Sequence, residues 1–257
     1  MIAVAEGREL APGFDVIEHL SRNEALDVYD VWDRGRYCRC VAKTLRPDRR
    51  ADERPRARLL REGELLERFA HPHLVRAYAT LLEPEIVVIL ETLSGETLDH
   101  LVGRRERRRL PVAELALLGL QVGSAVRYLH GEGWLHLDLK PSNIIVDLGV
   151  VKLLDLSLVR PPGPAPRGLG TPGYLAPEQA LGDDLTAAAD VWGLGAVLFE
   201  AATGEPPCED RDVPPSVRTL RRLPRPLADG IDACFARHPA LRPTVEELLG
   251  LLEPFAA

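Results

Sequence analysis

The spacing of apolar residues changes character once along this chain, at Leu93-Ser94-Gly95, and that change limits the architectures open to it. Before it, short apolar runs at residues 14–17, 25–29, 37–45 and 85–90 read as strands, the last rich in β-branched residues. Residues 56–69 carry the one helical stripe of this part: Leu59, Leu60, Leu65, Leu66 and Phe69. After it, residues 112–130, 187–203 and 245–252 read as helices, and 187–203 is apolar nearly all round, which predicts a buried helix. A strand-rich part followed by a helix-rich part predicts an α+β chain, with a first part to about residue 91, a hinge at 92–95 and a second part over 96–257.

Composition narrows the function classes. The formal charge of −7 gives no electrostatic support for binding nucleic acid. The longest run without a formal charge is twelve residues, 115–126, too short for a transmembrane helix, and no membrane span is expected. The first ten residues carry Glu6, Arg8 and Glu9, unlike a signal peptide, and a soluble, cytoplasmic protein is the expectation. The four cysteines contain no C-x-x-C pair; Cys38 and Cys40 should face one way on a strand and pack there. Residues 160–170, with four prolines and three glycines, are expected to be an irregular loop, as is much of 206–226. Residues 103–109 hold five arginines and read as a solvated connection between helices.

The chemistry concentrates in His136-Leu137-Asp138-Leu139-Lys140-Pro141-Ser142-Asn143, which sets Asp, Lys and Asn at offsets 0, +2 and +5, with Asp155 seventeen residues after Asp138. This spacing resembles the catalytic loop and metal-binding Asp of the protein kinase family. The resemblance runs from about Phe14 to Leu252, with several motifs in order. Cys40-Val41-Ala42-Lys43 is similar to the family's Val-Ala-Ile-Lys strand, and Glu62 lies nineteen residues beyond Lys43. Gly170-Thr171-Pro172-Gly173-Tyr174-Leu175-Ala176-Pro177-Glu178 resembles the end of the activation segment, His238-Pro239-Ala240-Leu241-Arg242-Pro243 supplies an arginine for Glu178, and Asp190-Val191-Trp192-Gly193 follows.

The resemblance implies a two-lobed fold, with a small β-rich lobe holding one key helix and a larger helical lobe. It assigns roles to individual residues. Asp138 orients the acceptor hydroxyl, and Lys140, typical of serine/threonine kinases, neutralises the transferred phosphoryl group. Asn143 and Asp155 hold Mg2+. Lys43, paired with Glu62, holds the phosphates of ATP. Val28, Val41, Glu91 and Leu93 line the nucleotide, and Glu178–Arg242, Asp190 and Thr171 shape the site.

The chain departs from the family pattern in several places. Counted back from Val28, the three glycines of the phosphate loop fall on Ser21, Asn23 and Leu26, which predicts weaker phosphate clamping or a differently shaped loop. Asn23 tolerates a left-handed backbone; Leu26 does not. Val41 in place of a small alanine narrows the nucleotide pocket. Leu137 replaces the arginine that in most kinases receives an activation-segment phosphate, and between Asp155 and Glu178 the only hydroxyls are Ser157, Thr171 and Tyr174. An unpaired buried arginine would be costly, so both losses agree. Asp155-Leu156-Ser157 stands for Asp-Phe-Gly, with Leu156 able to fill the apolar slot.

The expectation is a serine/threonine protein kinase that uses ATP and Mg2+ on a protein substrate and is not switched by activation-segment phosphorylation. Regulation would come from a separate protein, from expression, or not at all. Two alternatives remain open: a pseudokinase or nucleotide-binding scaffold, favoured by the altered phosphate loop, and a small-molecule kinase, disfavoured by the intact peptide-platform motif.

Overall fold

A computed structural model describes residues 3–105, 109–208 and 213–256. The chain separates into two compact units, residues 1–94 and 95–257. In the first, β1 (Glu9–Ala11), β2 (Phe14–Arg22), β3 (Leu26–Asp33), β4 (Cys38–Leu45), β5 (Ala77–Leu81) and β6 (Val87–Glu91) form an antiparallel sheet of order β1-β2-β3-β4-β6-β5, with α1 (Glu53–Arg68) between β4 and β5. Alternation along the strands sends Phe14, Val16, Tyr29, Val31, Cys40, Ala42 and Ile89 into one core, over which Val4 donates its N–H to the Tyr29 hydroxyl at 3.0 Å. Cross-strand register places Ser21, Val28, Lys43 and Val88 in one row. On α1, Leu59, Leu65 and Leu66 are buried as the stripe predicts, and Gly63 brings the helix against β5 and β6, where a Cβ would stand 2.3 Å from Thr80 Oγ1.

The second unit begins with β7 (Glu96–Thr97), α2 (Leu98–Arg104) and α3 (Val112–Gly131). β7 joins β8 (Ile144–Asp147) and β9 (Val150–Leu153) in a three-stranded sheet, and β10 (Gly163–Pro164) pairs with β11 (Asp184–Leu185), with α4 (Pro177–Leu181) between them in sequence. The remainder is helical: α5 (Ala187–Thr203), α6 (Val217–Leu220), α7 (Arg225–Ala233) and α8 (Val245–Leu252). Thirteen of the seventeen residues of α5 are buried, so it is the central helix of this unit, and Asp190 is the charged residue among those thirteen. A helix of this kind is stabilised by packing on every side rather than by propensity.

The α+β class holds, with β strands concentrated in the first unit and helices in the second. Several boundaries differ from expectation. Tyr37 is not in β4: its φ of 55° places it in the turn before the strand, exposed. The proline-rich stretch 160–170 is not wholly irregular, because Leu135 bridges Arg160 and β10 pairs with β11. Within 206–226, α6 forms and α7 starts at Arg225 with Pro226 in its first turn, where a missing N–H costs nothing. Residues 209–212 of that stretch, and residues 106–108 of the arginine run, lie outside the described residues. α3 is, by length and composition, apolar enough to cross a bilayer, which the count of uncharged residues had excluded. The count stopped at Glu114 and Arg127, both of which lie within the helix; half of its apolar window is buried, and α3 packs against α5, α8 and β9.

Gly195 shows how close these helices lie. A Cβ there would stand 2.4 Å from Cys234 Cβ, an atom fixed to its backbone. Gly195→Ala is expected to destabilise the fold by about 1–3 kcal/mol through overpacking. Gly250→Ala, in an exposed helical position with no atom within 4 Å of the new Cβ, is expected to stabilise it by up to about 1 kcal/mol. Thermal denaturation of the two variants beside the parent measures both.

Candidate active site

In the first unit, β4 presents Val41 and Lys43 on the face opposite the Cys40–Ala42 core. Lys43 Nζ donates to Glu62 Oε1 of α1 at 2.6 Å, and the two side chains are 12% and 1% exposed. A pair this buried needs good geometry to offset its desolvation, and it fixes where the lysine head can point. Val28 faces Lys43 directly across the β3–β4 ladder. Glu91 accepts the N–H of Arg76 at 2.9 Å, and Leu93 is half-buried two residues on.

The turn between β2 and β3 closes on itself. Asn23 Oδ1 accepts the backbone N–H groups of Ala25 at 2.9 Å and Leu26 at 2.7 Å, and Asn23 N–H donates to Leu26 O at 3.0 Å. Neither Asn23 nor Leu26 has a positive φ, so the left-handed backbone considered for them is not used. An Asx turn does the work instead, and it occupies the amides that glycines would turn toward a phosphate.

In the second unit, the segment after α3 hangs on Asp190. Its Oδ1 accepts Leu137 N–H at 2.7 Å, and its Oδ2 accepts His136 N–H at 2.8 Å and bonds His130 Nε2 at 2.8 Å. Burial pushes the Asp190 carboxyl up, but the hydrogen bond and charge of His130, the charge of His136 and the Leu137 N–H outweigh it, so the carboxyl titrates below the ordinary range. His136 Nδ1 accepts Asp138 N–H at 3.3 Å, and its Nε2 faces Leu154 O at 3.3 Å. Leu137 is buried with a φ of 66°, a left-handed conformation that costs a non-glycine residue on the order of 1–3 kcal/mol and persists because both its neighbours are anchored.

Around Asp138 the nominated residues converge. Its Oδ1 accepts the Thr171 hydroxyl at 2.6 Å; its Oδ2 meets Lys140 Nζ at 2.9 Å and Asn143 Nδ2 at 3.1 Å. Lys140 also donates to Thr171 Oγ1 at 2.7 Å. Asn143 Nδ2 donates in addition to Asp138 O at 2.9 Å, so its amide nitrogen is committed and its oxygen points away from Asp138. Asp155, at a φ of 56°, accepts Ser157 N–H at 2.9 Å, and Leu156 is fully buried. An amide oxygen and a carboxylate are hard donors that suit Mg2+ better than a soft metal, and with so few protein ligands the rest of its shell would come from phosphate and water. Among the described residues no cluster of three or more His, Cys, Asp or Glu offers a competing metal site.

The segment beyond Thr171 is tied down by Glu178 and Arg242, whose forked bonds measure 2.6 and 2.8 Å. Arg242 also donates to Ala236 O and Ala188 O and lies 5.0 Å over the Trp192 ring. Every face of this buried guanidinium is therefore engaged, which is what makes the charge tolerable.

The protein kinase domain model matches residues 17–251. The chain belongs to the protein kinase family. It is 31% identical to the serine/threonine-protein kinase PkaA of Streptomyces coelicolor over 80% of this chain and 41% of that protein. It is 33% identical to the DNA damage-responsive serine/threonine-protein kinase RqkA of Deinococcus radiodurans over 78% of this chain and 31% of that protein. Among solved structures it is similar to the PknI kinase domain of Mycobacterium tuberculosis, with a TM-score of 0.81 and 26% identity over 99% of this chain and 100% of that one. The chain spans less than half the length of the curated relatives it matches.

Against the family pattern, three partners escaped the sequence. His130 lies on the last turn of α3 and reads there as an ordinary helix-end histidine; only the fold sets it against Asp190. Glu200 of α5 receives the Tyr174 hydroxyl at 2.6 Å, and burial raises its carboxyl above the ordinary range. Gln179 carries a partial signal, as the glutamine of a capping-box spacing that has Ala176 where Ser or Thr would stand. A surface cavity of about 520 Å3 elsewhere in residues 95–257, lined by Leu101, Leu117 and Leu148 among others, contains none of the nominated residues.

Asp190 makes the site sensitive to acid. Its folded pKa lies below the unfolded value of about 3.9, so its stabilisation is complete above that value and is lost as pH falls through the folded one. Asp190→Asn is expected to lower stability at neutral pH and to reduce the loss of stability of the protein below about pH 4. Denaturant midpoints measured across that range test this; an unchanged acid slope contradicts it.

Proposed function

We propose that this chain is a serine/threonine protein kinase that moves the γ-phosphoryl group of ATP to a Ser or Thr hydroxyl of a protein. The observation that carries the reading is Asp138 held by Thr171, Lys140 and Asn143 at 2.6–3.1 Å. Phosphoryl transfer needs little covalent help from the protein; it needs positioning and charge stabilisation. Asp138 would accept a hydrogen bond from the acceptor hydroxyl, aim its oxygen at the γ-phosphorus and take its proton as the new O–P bond forms and the bond to ADP breaks. Lys140, already oriented by Asp138 and Thr171, offsets charge on the moving group. Lys43, steadied by Glu62, would hold the α- and β-phosphates. Mg2+, held by Asn143 Oδ1 and Asp155, would supply charge neutralisation at the phosphate oxygens.

Two features set the conditions of that activity. With the Ala25 and Leu26 amides bonded to Asn23, phosphate binding by the first unit would lean on Lys43 rather than on the turn. With Leu137 buried and carrying no charge, the catalytic loop has no cation there to receive an activation-segment phosphate, which supports activity without that modification.

Magnesium-dependent ATP turnover with a generic protein substrate is the test. Asp138→Ala and Lys43→Ala are each expected to reduce turnover by at least about 100-fold while the parent is active. No turnover by the parent, and no thermal shift with ATP and magnesium, contradicts the reading. Phosphatase treatment is expected to leave the rate unchanged; a phosphate required on Ser157, Thr171 or Tyr174 contradicts phosphate-independent activity.

A further inference from the structure

We propose that Gln179 is a positioning residue that locks the activation segment to the catalytic loop, a connection made here by one neutral amide instead of a phosphate and an arginine. The proposal rests on the kinase reading above. Gln179 lies on the first turn of α4 and is 2% exposed. Its Nε2 donates to Leu137 O at 2.9 Å and to Leu169 O at 2.8 Å, and its Oε1 accepts Ala176 N–H at 3.1 Å. Carbonyls only accept and a backbone N–H only donates, so a single orientation of the amide satisfies all three. The main chain adds a fourth link, Gly168 N–H to Gln179 O at 2.8 Å.

The groups it joins are the ones whose position matters. Leu137 precedes Asp138, and Leu169 stands two residues before Thr171, whose hydroxyl contacts Asp138 and Lys140. Asp190 holds the Leu137 N–H and Gln179 holds its carbonyl, so the residue before Asp138 is gripped from both sides. The two segments approach as closely as glycine permits. Gly170 has a φ of 130°, and a Cβ on it would stand 3.0 Å from Leu137 O and 3.1 Å from Gln179 Nε2. No other neutral side chain of this length offers two donors and an acceptor. Glutamate lacks the donors when ionised, and methionine, of similar reach, lacks all three, leaving buried backbone groups unsatisfied.

The test compares Gln179→Met and Gln179→Glu with the parent chain. Gln179→Met is expected to lower kcat by about 10- to 100-fold, with KM for ATP within about 2-fold, at every pH, as expected of a misplaced catalytic group. Gln179→Glu introduces a carboxyl facing two carbonyl oxygens. Asp138 and Asp190 line the same small cavity, while Lys140 is engaged by Asp138 and Glu178 by Arg242. Burial and these negative groups raise the folded pKa of the new carboxyl above its unfolded value of about 4.3. Protonated, it restores one donor; ionised, it restores none. Its kcat relative to the parent is therefore expected to fall as pH rises from about 5 to 8, while the Gln179→Met ratio stays flat. His130 and His136 are unchanged in both variants, so whatever they contribute cancels in that comparison. Hydrogen exchange supplies a readout independent of turnover: amides at 168–175 should exchange faster in Gln179→Met, with those of α5 unchanged. Gln179→Met with kcat within about 2-fold of the parent, a flat Gln179→Glu ratio, or unchanged exchange at 168–175 each overturns the proposal. A parent without turnover overturns the kinase reading instead, and exchange then decides whether Gln179 joins the two segments.

Discussion

The second unit of this protein is organised around one buried carboxylate. Asp190, on a helix otherwise buried through apolar contact, collects the N–H groups of His136 and Leu137 and the ring of His130. An unpartnered carboxylate there would be untenable; with three donors it becomes the fixed point from which the next residues project. Leu137 is thereby held in a left-handed conformation it would not adopt alone, and that turn sends Asp138 toward Thr171, Lys140 and Asn143. On a helix that packing has already buried, one interaction thus sets both the strained turn and the placement of Asp138.

The first unit follows a different economy. Its sheet is regular, with a continuous β3–β4 ladder that sets Val28 opposite Lys43, and the ion pair with Glu62 fixes the lysine. Where the family pattern calls for glycines, this chain substitutes an asparagine side chain for a phosphate as the acceptor of two turn amides. The exchange stabilises the turn and occupies both amides. Gln179 does the same in the second unit, where its neutral amide bonds Leu137 O and Leu169 O within the chain.

Much of this was legible in the sequence because local pattern and local chemistry coincide there. The periodicity of α5 and α8 placed both helices with their observed bounds, and the offsets among Asp138, Lys140 and Asn143 were enough to bring those side chains together on a short loop. Less legible were features set by distant contacts. Nothing near Tyr37 announces a left-handed turn, the two-residue pairing of β10 with β11 is too short to show a period, and Gln179 resembles any helix-start glutamine until Leu137 and Leu169 arrive beside it.

Residue order alone was enough for the family and the α+β class, and it singled out the groups proposed here for phosphoryl transfer, since these depend on side-chain type and spacing along a continuous segment. Tertiary structure decided which of those groups are held and by what: His130 on Asp190, Glu200 on Tyr174, Gln179 between two carbonyls, and Asn23 folded onto its own turn. The physical reason is that a hydrogen bond acts over about 3 Å, a range that spacing controls only within a turn or a helix. Across 42 residues, as between Gln179 and Leu137, only packing of the whole unit sets it.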